Sequence, residues 1–124
     1  MGIAHPLEGP PAACQNRTEP IGETWTMLFA AVCTDKPGAR ARRHEVRPKH
    51  LEWVAAQGAR VKLAGPLMNA EGHAIGSLFL WEGASREEME ALAAADPYVQ
   101  AGIFESVVLR PFRIVVEDGR QVGP

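Results

Sequence analysis

The sequence predicts an α+β fold built in the order β-α-β-β-α-β, and three observations carry that prediction. Apolar runs of strand composition occupy residues 27–34, 59–67, 75–82 and 103–116. Stretches with helical apolar spacing separate the first run from the second and the third from the fourth. Only turn residues separate the two middle runs, so they read as a hairpin.

Taken in order, residues 1–26 contain Pro6, Pro10, Pro11, Pro20 and three glycines, with no period of 2 or 3.6. They read as an N-terminal extension, disordered or held by a partner subunit, and the domain is placed at 27–116. Met27 to Thr34 is a continuous apolar run stopped by Asp35-Lys36-Pro37-Gly38, as expected of a fully buried central strand. From Ala39 the period changes: Val46, His50, Trp53, Val54 and Gln57 fall on one helical face, and Gly58 stands where a glycine ends a helix. Pro48 lacks a backbone donor, so a break is expected near Val46–Arg47 with the helix restarting at the proline.

Ala59 to Leu67 alternates Val61, Leu63 and Gly65 against Arg60, Lys62 and Ala64, a half-exposed strand. Asn69 to His73 supplies the turn, and Ile75 to Glu82 returns. Ser85 and Glu88 have the spacing of a capping box opening a helix with Met89, Leu92 and Ala93 on one face. After Asp96-Pro97-Tyr98, a short turn leads into Ile103 to Val116, a strand that should bend, bulge or lie at an edge at Pro111. Residues 117–124 read as a polar C-terminal tail. This is the split βαβ, or ferredoxin-like, order. Its two helices can cover only one face of a four-stranded sheet. A bare face carrying Phe79, Trp81, Phe104 and Phe112 predicts two sheets packed face to face in a homodimer.

Composition narrows the function. A chain of 124 residues, 46% hydrophobic, makes one core. A formal charge of -2 provides no whole-protein field for nucleic acid, although Arg40, Arg42, Arg43, Arg47 and Lys49 form a local basic run. No apolar run approaches the ~20 residues of a membrane span. Cys14 and Cys33, without a CxxC or a secretory leader, point to a cytoplasmic setting. His5, His44 and His73 form no ligand spacing, and neither GxGxxG nor a Walker loop occurs, so neither metal nor cofactor is expected.

The segments MLFAAVCTDKPGARARRHEVRPKHLEWV, KLAGPL and AAADPYVQAGIFESVVLRPFRIVV, in that order over roughly residues 27 to 116, resemble the YciI-like family of the dimeric α/β-barrel superfamily. The resemblance implies a ferredoxin-like protomer, a homodimer open to further assembly, and an active site built on a histidine and an aspartate. Those are His50 of Arg47-Pro48-Lys49-His50-Leu51 and Asp96 of Ala95-Asp96-Pro97-Tyr98. Within this superfamily one member is similar to a dehydrochlorinase acting on chlorinated hydroxyhydroquinone; others are muconolactone isomerases and cofactor-free oxygenases.

Read from the residues, His50 on an apolar face suits acid/base work or is a core histidine satisfied by one hydrogen bond. Asp96 orients that imidazole or caps the turn that follows, and the roles can coexist. Arg47, with Arg43 a turn earlier as a lesser candidate, is placed to bind a substrate anion, and the Tyr98 hydroxyl to bind substrate. Gly65-Pro66 would allow close backbone approach at the pocket rim. Two functions follow: a cofactor-independent lyase or isomerase using His50 and Asp96 on a small aromatic or carbonyl-bearing acid, or a non-catalytic dimeric binding or accessory protein of the same fold.

Overall fold

The computed structural model describes residues 27–124. The expected N-terminal extension lies outside the described residues. Four antiparallel strands, β1 (Met27–Asp35), β2 (Val61–Met68), β3 (Ala74–Gly83) and β4 (Phe104–Phe112), form one sheet in the order β2-β3-β1-β4. Helix α1 (Arg40–Gln57) joins β1 to β2; α2 (Arg86–Ala94) and the single turn α3 (Pro97–Gln100) join β3 to β4. Met89 and Leu92 from α2, with Trp53 and Val54 from α1, pack on the same sheet residues, so both connections cover one face of a ferredoxin-like protomer.

That covered face is set by strand alternation. Phe29, Ala31 and Cys33 point to the helices, opposite Trp81, Phe79 and Ser77 on β3 and Pro111, Leu109 and Val107 on β4. Phe79 and Trp81 stack at 4.9 Å and are buried, and Phe104 packs edge-on against Tyr98 on the helix side. Three of the four aromatics expected on the bare face are therefore inside. Their partner positions explain it: the largest side chains fill the space beneath α1, where Trp53 meets Trp81 at 5.5 Å.

The opposite face is bare but aliphatic. It carries Leu28, Ala30 and Val32 of β1, Leu78 and Leu80 of β3, Val108 and Phe112 of β4, and Leu63 of β2, with Glu82 and Arg110 among them. β1 is thus buried on one side only. On β2, a register shift between Val61 and Leu63 puts Val61 against the core and leaves Leu63 exposed, where simple alternation placed both on one side. Pro111 sits in β4, the outermost strand, where a missing donor costs no ladder bond to a further strand. In the region expected as a polar tail, β5 (Val116–Glu117) and β6 (Arg120–Gln121) form a small hairpin.

The expected break at Val46–Arg47 is absent: α1 runs unbroken through Pro48. The proline deprives the His44 carbonyl of its donor, but His44 is exposed and water serves instead. Arg43, Val46 and His50, on either side of the proline, are all buried and hold the helix to the body. It ends at Gly58, whose φ of 63° suits glycine. No described helix is long and apolar enough to cross a membrane.

The capping box forms with one change. Ser85 Oγ accepts from the Glu88 amide at 3.1 Å, while Glu88 Oε1 reaches past Ser85 to the Ala84 amide at 2.7 Å. Ser85→Ala is expected to cost about 1 kcal/mol, read as a lower urea midpoint with an unchanged slope.

Candidate functional site

The β-bulge that follows Thr34, the buried stripe of α1 and the start of α3 converge at one end of the covered face. Asp96 caps α3: its Oδ1 accepts from the Tyr98 amide at 2.9 Å, and Pro97 occupies the first helical position, where no donor is needed. The same Oδ1 lies 2.8 Å from His50 Nδ1. An oxygen already accepting an amide is an acceptor, so Nδ1 donates to it, and in a neutral imidazole Nε2 then carries the lone pair. Nε2 makes no hydrogen bond among the described residues. The cap and the imidazole contact of Asp96 thus coexist, on one carboxylate oxygen.

His50 is 7% exposed and Asp96 2%. The imidazole is stacked on the Tyr98 ring, centroids 3.9 Å apart and planes within 12°, and meets Phe79 edge-on at 5.8 Å. The His50–Asp96 contact is nearly enclosed, and the low local dielectric of such a place strengthens the charge–dipole interactions inside it. A small, mostly apolar cavity has Asp96 in its wall, together with Cys33, Phe79, Trp81, Val99 and Val107.

Arg43, the lesser candidate, is buried and held by three residues. Its Nε donates to Asp35 Oδ2 at 2.9 Å; its Nη2 donates to the Gly76 carbonyl at 2.7 Å and Ser77 Oγ at 2.6 Å. Its guanidinium carbon lies 4.6 Å from the Tyr98 ring centre. The Nε and Nη2 donors of Arg43 are thus tied into the protein. Arg47, one turn on, is exposed and makes no ion pair among the described residues. Its charge still reaches Tyr98, whose phenol burial pushes above the usual range while Arg43 and Arg47 pull it down.

Gly65 and Pro66 are on β2, opposite Leu78 and Ser77, and are exposed. A side chain added at Gly65 would meet no other part of the described chain within 4 Å, so packing within the protomer does not require glycine there. A glycine that does permit a close approach beside this site is Gly76, where a Cβ would collide with the Cys33 carbonyl and whose own carbonyl receives Arg43. Asp35, Ser77 and Gly76 escaped the sequence reading. The spacing of Arg43 to His50, seven residues or two helical turns, was the available signal that both share the buried face. No group of three or more His, Cys, Asp or Glu residues converges for a metal among the described residues.

Compared with known proteins, residues 27–113 match the model of the YCII-related domain. The chain is 37% identical over 97 residues to Protein YciI of Escherichia coli O6:H1, covering 72% of this chain and 99% of that protein. Its identity to an uncharacterised protein of Haemophilus influenzae is 29%, with the same coverage. Among solved structures, the 5-chloro-2-hydroxyhydroquinone dehydrochlorinase of Burkholderia phenoliruptrix AC1100, in complex with 2,5-dihydroxybenzoquinone, superposes with a TM-score of 0.68 at 25% identity, over 70% of this chain and 94% of that one.

Cys33, on β1 beside Asp96, has a thiol pushed up to about 12, first by burial and then by the Asp96 carboxylate, against a pull from Arg43. A raised thiol pKa leaves the fold unaffected below the ordinary value of 9.0 and weakens it above, because the unfolded chain loses its proton first. Urea midpoints should therefore fall as pH rises through that value, and less so in Cys33→Ala. Iodoacetamide should label the Cys33 peptide only after denaturation.

Proposed function

The chain belongs to the family of YCII-related domains, and we propose that it is a small cofactor-independent enzyme of the lyase or isomerase type. In this reading it acts on a small aromatic or carbonyl-bearing acid. The observation that carries the proposal is the 2.8 Å contact between buried His50 and buried Asp96, with Nε2 left unbonded. Nε2 removes a proton from a phenolic hydroxyl or from carbon beside a carbonyl. Asp96 holds the tautomer and stabilises the imidazolium that forms, and the proton is returned to the product or released with a leaving group. Arg47, exposed and unpaired among the described residues, binds the substrate anion, and the Tyr98 phenol borders the same space. The similarity to a dehydrochlorinase of a chlorinated hydroxyhydroquinone supports hydroxylated aromatics as the class to try first.

Positioned proton transfer of this kind is worth roughly 10² to 10⁴ in rate. In a screen of small phenols, lactones and keto acids, His50→Ala should lose that factor in kcat. Asp96→Asn should bind substrate but turn over more slowly. Indistinguishable behaviour of the three proteins across a converted substrate would exclude the pair from the chemistry.

The working unit in this proposal is a homodimer. The bare face is built from Leu28, Val32, Leu78, Leu80, Val108 and Phe112, a contiguous apolar surface on which no helix of the protomer packs, with Val32 and Phe112 exposed. A second copy offers the same aliphatic face, and a two-fold axis buries both at once. Light scattering should give twice the protomer mass, and Val32→Glu, which places a charge at the centre of the face, should give one. A monodisperse wild-type monomer at micromolar concentration would refute the dimer.

A further inference from the structure

We propose that Arg43 is a positioning residue of this site: by backing the Tyr98 ring it sets the plane of the His50 imidazole, which it never touches. Arg43 and His50 are two helical turns apart on α1, a separation of roughly 10 Å along the axis. The guanidinium carbon lies 4.6 Å from the Tyr98 ring centre and the imidazole 3.9 Å from it. The imidazole lies parallel to the ring at 3.9 Å and so covers one face, and the other face is the one with room for a guanidinium carbon over the ring at 4.6 Å. Tyr98 is therefore clamped between them.

The clamp closes a loop of contacts. Asp35 holds Arg43, Arg43 backs Tyr98, Tyr98 supports His50, and His50 meets Asp96, whose same oxygen receives the Tyr98 amide. Asp96 restrains the imidazole at one edge through Nδ1. A single edge contact leaves rotation about that bond open, and the stacked ring removes it. The guanidinium suits this task because it is planar and can face the ring while its edge donates to Asp35, Gly76 and Ser77. An ammonium carries the charge but not the plane.

The catalytic consequence rests on the acid/base reading of His50; the effects on the imidazole and the phenol do not. The chain has one tyrosine, so the phenolate absorbance titration reports Tyr98 alone, and four histidines, of which His50 is assigned by its loss in His50→Gln. In nitrogen-labelled protein, wild type should show His50 as the Nδ1–H tautomer. Arg43→Met should raise the Tyr98 titration and convert His50 to a mixture of tautomers with the fold intact by circular dichroism. Arg43→Lys should restore the phenol titration but not the single tautomer, a split that a merely structural role would not produce. Wild-type imidazole shifts in folded Arg43→Met would overturn the proposal. If that variant does not fold, Asp35→Asn, which loosens the guanidinium at nearly constant volume, decides: unchanged His50 shifts reject the proposal and altered ones support it. A wild-type imidazole lacking the Nδ1–H signature defeats the acid/base reading instead, and the dependence of its shifts on Arg43 still decides this one.

Discussion

One carboxylate oxygen organises the molecule. Asp96 Oδ1 accepts the Tyr98 amide and meets the His50 imidazole, so the start of α3 and the middle of α1 are fastened through a single atom. Buried polar groups persist only when paired, and here each partner satisfies another's need. The α3 amide needs an acceptor, the imidazole needs a fixed proton, and a carboxylate at this depth needs donors.

Around that contact the aromatic core acts as a frame. Phe79 and Trp81 stack on the sheet, Trp53 crosses them from α1, and His50 completes the series toward Tyr98. The frame is rigid because its rings are locked by neighbours on both the helix and the strand side. The polar group at its end, Arg43, is held by Asp35, Gly76 and Ser77. A cation buried this deeply is tolerable because nearly every direction it faces supplies an acceptor or a ring.

The sheet divides the molecule into two unlike sides. The covered side holds the chemistry-bearing groups and the large aromatics. The bare side is aliphatic, with Glu82 and Arg110 as its charged residues along β3 and β4. The kinship to YCII-related domains and the superposition on the dehydrochlorinase concern the scaffold; the contacts of Asp35, Arg43, Tyr98, His50 and Asp96 are those of this chain.

Element order, the capped start of α2, the glycine at the end of α1 and the Asp-Pro turn of α3 were all legible in the sequence, because each depends on neighbours within a few residues. So was the placing of His50 on a buried stripe. Which sheet face took Phe79 and Trp81 was not legible, since in Ile75-Gly76-Ser77-Leu78-Phe79-Leu80-Trp81 both alternating sets are apolar and period alone cannot choose. The continuity of α1 across Pro48 was decided by packing on both sides of the proline, and the burial of Arg43 by acceptors 8, 33 and 34 residues away. Local spacing determined the elements and the face on which the histidine lies. Only the tertiary structure brought Asp35, Arg43, Tyr98 and Asp96 to it, because contacts between distant positions leave no period in the chain.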